Sequence, residues 1–378
     1  MGYGRRGGGG KRRGAPSRRP PAPPPSSTPA NFVPEAGPGC VISHGLAAPW
    51  ALGSERIDAR DYDDDVVFPD LAVNPDDGVL SVVNATRTSR VFYVTVYDHP
   101  VLDARGAPFP PGAAVDETGA SRRCVTFILR LPPRSILHAA TLAEPTSEID
   151  SDVQDWSEHP NPEDEHPLLL SFPLGGPGAP WLCTQGEGGA LTHFFGGNQH
   201  AIDFRCDVGT DVLAVADGEV VEVSHGHTLT GIATSNLFKW NSVMLKLDAD
   251  ATDASHERGA SGEDAAEDAA EDDAASSSSS VRGGDLFVEY VHIRAGSARV
   301  SVGDRVVRGQ KICESGDVGF SPEPHLHFTA FRSRDAAAHT CRARFKVEGG
   351  AEGEGGAFVP VAGKRYDARG EAKERGGG

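Results

Sequence analysis

The sequence predicts a mainly β protein with two folded parts, on three observations. Short runs rich in β-branched and aromatic residues recur along the chain, among them residues 79–83 (VLSVV), 91–97 (VFYVTVY) and 124–131 (CVTFILRL). Pro, Gly, Asn and Asp punctuate these runs, and no 3.6-residue apolar period competes with them. Stretches of biased composition then separate the patterned regions from one another.

The elements follow in order. Residues 1–34 carry seven basic residues and no acidic one among Gly and Pro runs, so 1–37 reads as a disordered basic leader unable to bury enough apolar surface. It contains no apolar run long enough for a secretory core, and Arg6 stands where a myristoylation motif requires Ser or Thr. Its basic, acid-free composition is compatible with an organelle transit peptide, and the compartment stays open.

Residues 38–175 read as a β-sandwich-like domain, and the alternation across 92–97 predicts a half-buried strand. Residues 176–345 form a second β-rich domain. Within it, 249–284 holds Glu-Asp-Ala-Ala repeats and a serine run, and reads as a disordered insertion between two strands. Residues 346–378, rich in Gly and charge, read as a disordered tail.

The net charge of −18 excludes a dedicated nucleic-acid binder, since its surface would repel phosphate, and no apolar run has transmembrane length. The six cysteines form no CxxC pair, so buried free thiols are expected rather than a zinc knuckle or redox site. Asn84-Ala85-Thr86 would be a glycosylation sequon if the chain were exported.

The second domain supplies His193, His200, Asp203, His292, His325 and His327. In 324–328 (PHLHF) the imidazoles are two residues apart, so an extended strand projects both from one face, where they can share an ion and its water. Residues 286–292 (LFVEYVH) form another expected strand, with Tyr290 and His292 on one face and His292 opposite His325 on a neighbour. Two His and one Asp meet the needs of a hydrolytic zinc site: three protein ligands and an open position for water.

These blocks resemble, in order, the lysostaphin-like (LytM-type) zinc metalloendopeptidases: HAIDF (200–204), GTDVLAVADGEVV (209–221), YVHI (290–293), VGDRVVRGQ (302–310), SGDVG (315–319) and PHLHF (324–328). The resemblance covers roughly residues 193–328. It implies an antiparallel β-groove of the duplicated-hybrid-motif fold, Zn2+ as cofactor, and peptide bridges such as those of peptidoglycan as substrate. It also implies Asp203 and His327 as zinc ligands and His292 and His325 as the catalytic pair.

One position departs from the family pattern, which places its first His ligand four residues before the Asp; here that residue is Gln199. His200 lies at an odd offset from Asp203 and would face the opposite side of a regular strand. His193 is preferred, because residues 185–193 (QGEGGALTH) resemble a subset of the family in which a Gln-Gly lead ends in Ser/Thr-His ahead of the Asp. His200 stands as the alternative.

The remaining histidines read as ordinary core or surface residues, and His225 and His227, separated by Gly226, read as a loop. Cys206, three residues past Asp203, should face away from a metal. A rival reading of another class is a catalytically inactive zinc-binding or regulatory module of the same fold. A carrier-like module, suggested by the turns across 302–312, fits less well because Lys311 lies inside a strand rather than at a hairpin tip.

Overall fold

The computed structural model describes residues 38–58, 68–145, 147–156, 168–194, 197–248, 285–334, 339–349 and 356–372. The leader 1–37 and the insertion 249–284 lie outside the described residues. Apart from one 3-10 turn at Thr234–Asn236, the regular structure of the described residues is β.

Two sheets form the N-terminal part. One has the order Cys40–His44, Ser121–Leu131, Arg90–Tyr97, Ile149–Asp155, with Gly112–Val115 on the second strand; the other runs Gly53–Arg56, Ser135–Leu142, Val79–Asn84, Leu71–Val73, with Val101–Leu102 beside Ser135–Leu142. Their facing sides bury Leu80, Val82, Phe92, Val94, Val96, Phe127, Leu129 and Leu137 in one apolar cluster. This is a β-sandwich, as expected from the sequence.

The strand Arg90–Tyr97 is not half-buried as its alternation suggests, because Val91 through Tyr97 are all buried. Phe92, Val94 and Val96 fill the sandwich, while Val91 and Tyr93 pack with Leu191, Phe194, Leu237 and Phe320 of the C-terminal part. Thr95 Oγ1 lies 2.9 Å from Thr234 Oγ1, and Tyr97 Oη lies 3.0 Å from Ser235 Oγ. Alternation reports a strand's two faces, but only the second domain decides that both are covered.

The C-terminal part is built on an antiparallel nine-stranded sheet ordered Arg305–Val306, Gly218–Ser224, Ser242–Leu247, Phe287–Val291, His325–Phe331, Ile202–Arg205, Trp181–Gln185, Arg365–Asp367, Gly370–Glu371. Two three-stranded sheets accompany it. One joins Leu174–Gly175, Asp211–Leu213 and Lys311–Glu314, and the other joins Leu168–Leu170, Ala343–Lys346 and Ala357–Phe358. Phe172, Phe204, Tyr290, Leu326, Phe328, Phe345 and Tyr366 share the core between these sheets.

Two boundaries differ from the sequence reading. Leu168–Leu170 pairs in parallel with residues 343–345, and Leu174 enters the C-terminal core, so 168–175 belongs with the second part rather than with the sandwich. Residues 356–372 are not loose: Arg365–Asp367 extends the large sheet beside Trp181, and Tyr366 is 2% exposed. Their Gly-rich, charged composition hid a short edge hairpin whose one large aromatic side chain does the packing.

All six cysteines are free. Asn84 is fully buried, and its amide donates to the carbonyls of Thr88, Leu131 and Pro132 at 2.9, 3.0 and 2.9 Å, so the folded chain offers no sequon nitrogen to a glycan. No helix among the described residues is long and apolar enough to cross a membrane.

The Tyr366 ring stacks on Phe358 at 5.2 Å, and its hydroxyl accepts the Val361 N–H at 3.0 Å. Tyr366→Ala should therefore destabilise the chain by roughly 3–5 kcal/mol, the usual cost of removing a buried aromatic ring. Urea unfolding checks this, with a loss below about 1 kcal/mol marking the C-terminal hairpin as peripheral.

Candidate metal centre

Two adjacent strands supply the centre. Ile202–Arg205 pairs with His325–Phe331 so that Asp203 lies opposite His327 and Arg205 opposite His325. Alternation sorts the side chains by chemistry: Ile202, Phe204, Leu326 and Phe328 enter the aromatic core, leaving Asp203, His325 and His327 on the other face. The register is held by that core, since a one-residue slip would bury the polar set.

His193 reaches this face from the loop after Trp181–Gln185. Its Nε2 lies 3.3 Å from Asp203 Oδ1 and 3.3 Å from His327 Nδ1, while His327 Nδ1 lies 2.9 Å from Asp203 Oδ1. One ligand-type atom from each of His193, Asp203 and His327 falls within 4.8 Å of the others. His325 Nε2 is 3.8 Å from the same carboxylate oxygen.

The His292 ring stands 4.6 Å from that of His325 and 6.0 Å from that of His327, centroid to centroid. Here the expectation that Tyr290 and His292 share a face fails. Tyr290 is buried in the core with its hydroxyl accepting the Val215 N–H at 2.9 Å, whereas His292 adopts the left-handed conformation at φ 63°. That twist, costly for a side chain with a Cβ, rotates the imidazole off the strand alternation and toward the histidine cluster. Gly316 accommodates the bend, since a Cβ there would lie 2.8 Å from the His292 carbonyl oxygen.

Each imidazole is oriented by a partner on its far nitrogen. His193 Nδ1 donates to the Gly186 carbonyl at 3.1 Å, His292 Nδ1 to that of Val318 at 2.7 Å, and His325 Nδ1 to that of Glu323 at 2.7 Å. His327 Nε2 lies 2.8 Å from Thr329 Oγ1. A carbonyl can only accept, so it holds a proton on that nitrogen and turns the opposite nitrogen inward; in the neutral ring that inward nitrogen carries the lone pair. Thr329 could have been found from the sequence, because it stands two residues beyond His327 on the same strand face.

Electrostatics agree with this arrangement. Burial opposes the charge on Asp203, but the His193 and His325 imidazoles and hydrogen bonds from His193 and His327 outweigh it and hold the carboxyl well below its ordinary range. Burial, reinforced by His325 and His327, pushes His292 well below the ordinary histidine value; burial likewise lowers His327. The centre thus presents a carboxylate held in its charged form beside two imidazoles, His292 and His327, whose charged forms burial disfavours.

His200 is not part of this cluster. Its Nδ1 lies 3.0 Å from the Thr340 carbonyl oxygen and its Nε2 lies 3.4 Å from Glu187 Oε1. The structure therefore brings His193, Asp203, His292, His325 and His327 together and leaves His200 on a separate support. Cys206 lies in the apolar core, and Lys311 pairs with Asp211 and Glu314 inside its strand.

The site is buried, and the loops beside it pack against the sandwich. His193, Asp203, His292, His325 and His327 are 0%, 5%, 7%, 4% and 8% exposed, beside a cavity of about 10 Å³ whose lining includes Gln185, Asp203, Glu323 and His325. The sandwich grips the flanking loops: Trp156 Nε1 donates to the Phe194 carbonyl at 3.1 Å, and Tyr93 packs edge-on against Phe320 at 5.7 Å. Arg205 pairs with Glu323 at 2.6 Å farther along the same sheet face.

The motif order and the all-β architecture together define a chain similar to the lysostaphin-like zinc peptidases. Among curated proteins it is 29% identical over 133 residues to the glycyl-glycine endopeptidase ALE-1 of Staphylococcus capitis, a match covering 35% of this chain and 24% of that protein. The chain thus spans about a quarter of the length of that relative. The solved catalytic domain of lysostaphin from Staphylococcus simulans is 21% identical, with 46% of this chain and 88% of that one covered at a TM-score of 0.25. A zinc-containing peptidase from Vibrio cholerae is 16% identical, over 50% of this chain and 45% of its own, with a TM-score of 0.23. No family model matches the chain.

The support around His200 yields a prediction. Arg342 Nε donates to Glu187 Oε2 at 2.8 Å and its Nη2 pairs with Oε1. Burial opposes the Glu187 charge, but the bonds from His200 and Arg342 lower its pKa from 4.5 to about 2. A carboxyl depressed on folding stabilises above its unfolded pKa and loses that contribution as pH falls through the folded value. Glu187→Gln should cost roughly 1–3 kcal/mol at pH 7, with the gap to wild type closing between pH 4.5 and about 2. Denaturation curves across that range check it, and a gap independent of pH contradicts it.

Proposed function

We propose that the C-terminal part of this chain is a zinc-dependent metalloendopeptidase that hydrolyses peptide bridges, with substrates of the peptidoglycan type. The observation that carries the reading is the convergence of His193 Nε2, Asp203 Oδ1 and His327 Nδ1 on one buried point beside two further imidazoles. The donor set fits the metal, because zinc takes imidazole nitrogen and carboxylate oxygen, and three protein ligands leave a fourth position open. When bound there, zinc supplies a Lewis acid and lowers the pKa of coordinated water from 15.7 to about 7.

The chain's own residues supply the proton handling. His325 turns its Nε2 into the site because Nδ1 is held by the Glu323 carbonyl, and in the neutral ring this nitrogen is suited to take a proton from the attacking water. His292, held the same way by Val318, stands beside it and is suited to pass the proton to the leaving amine or, once protonated, to donate to the developing oxyanion. The likeness to a glycyl-glycine endopeptidase supports short, unhindered peptide bridges as the substrate class.

A second reading, an inactive zinc-binding or regulatory module, is favoured by one feature: the five site residues are nearly inaccessible behind clamped loops. Zinc analysis of the purified chain, together with digestion of purified peptidoglycan scored by the new amino termini released, separates the readings. Stoichiometric zinc with new termini supports the peptidase. Zinc without them supports the module, and absence of zinc binding overturns both.

Single substitutions divide the roles. His327→Ala, Asp203→Ala and His193→Ala should each lose zinc, whereas His200→Ala should keep most of it, because one of three ligands is removed in the former cases only. His325→Ala should keep most of the metal and lose turnover by about 10²–10⁴-fold. Equal zinc loss in His325→Ala and His327→Ala would reverse the assignment of ligand and proton carrier.

A further inference from the structure

The segment that carries His193 is a loop, yet its histidine is fully buried against Asp203, so something must fix the loop to the strand. The side chain in that position is Gln185, at the end of Trp181–Gln185 and opposite Asp203 across a register shift. Gln185 Nε2 donates to Asp203 Oδ2 at 2.9 Å and to Thr192 Oγ1 at 3.0 Å. Its Oε1 accepts the backbone N–H groups of Leu191, Thr192 and His193 at 3.0, 2.8 and 3.3 Å.

This network also fixes the orientation of the amide, because a flipped group would set its oxygen against the carboxylate and its N–H groups against backbone donors. Gln185 is 1% exposed, so none of these bonds is exchanged for water. The loop closes tightly over the side chain: a Cβ on Gly189 would lie 2.2 Å from Gln185 Cγ.

We propose that Gln185 is a positioning residue of the metal centre: its amide ties Asp203 to the His193 loop, allowing His193 to occupy the role that Gln199 cannot fill. By holding Oδ2, it leaves Oδ1 as the oxygen facing His193 and His327. Glutamate would keep the acceptor for the loop but set a second negative charge against Asp203, and methionine, of similar length, would lose both functions.

This inference rests on the zinc reading and deepens it. The test uses the full chain and its Gln185→Glu and Gln185→Met variants, with Gly189→Ala displacing the glutamine without removing it. Zinc affinity is measured by competition with a chromophoric chelator, geometry from the visible spectrum of the cobalt-substituted protein, and loop order from amide hydrogen exchange of the metal-free chain.

Both Gln185 variants should lose zinc affinity by about 10–100-fold, the usual range for a partner that orients a ligand, and should change the cobalt spectrum. Gly189→Ala should show a smaller loss of the same kind. Exchange protection at Leu191, Thr192 and His193 should fall in Gln185→Met and persist in Gln185→Glu, a split that general destabilisation does not produce. If Gln185→Met does not fold, Gln185→Glu and Gly189→Ala decide the matter by affinity and spectrum. A wild-type chain that binds zinc alongside variants matching its affinity and spectrum overturns the role of Gln185 alone; a wild-type chain that binds no zinc overturns the metal reading and this role together.

Discussion

The arrangement depends on one antiparallel pairing, Asp203 opposite His327 across adjacent strands. The same alternation that brings these side chains to one face sends Ile202, Phe204, Leu326 and Phe328 to the other, where they join Phe172, Phe345 and Tyr290. Core and site are therefore two consequences of one register. The free energy of burying several aromatic rings holds a carboxylate and imidazoles together, although desolvation opposes gathering them in a dry place.

What the pairing leaves undone falls to irregular backbone. His292 stands at φ 63°, outside the conformations an L-residue prefers, and the carbonyl that orients it comes from Val318 in the neighbouring loop. Backbone carbonyls hold the far nitrogens of His193 and His325 in the same way. Backbone acceptors are insensitive to side-chain chemistry, so the ring orientations belong to the fold more than to particular neighbours. The support from Gln185 differs, since it needs an amide with a donor and an acceptor at one place.

The sandwich is more than an appendage in this architecture. Its strand Arg90–Tyr97 is buried on both faces because Leu191, Phe194, Leu237 and Phe320 of the second part cover the side that the sandwich leaves free. Two of those residues flank His193, and Phe320 precedes the strand that carries His325 and His327. The loops around the centre are thus fixed from outside as well as from within, which accounts for the small exposure of the site residues.

By itself the sequence determined the class of fold and most of the cluster's membership. Strand alternation put His325 and His327 on one face, and the order of the glycine-turn and histidine blocks carried the resemblance that singled out Asp203 and His292. Periodicity is a local property, so it survives translation from chain to strand. The structure places the His193 ring beside Asp203 and His327 and the His200 ring against Thr340. Tertiary structure alone decided the rest: the burial of both faces of 91–97, the C-terminal hairpin anchored by Tyr366, the left-handed turn at His292 and the clasp of Gln185. Each depends on contacts between segments far apart in the chain, or on a backbone angle that such contacts hold against its local preference, and no short window of sequence records either.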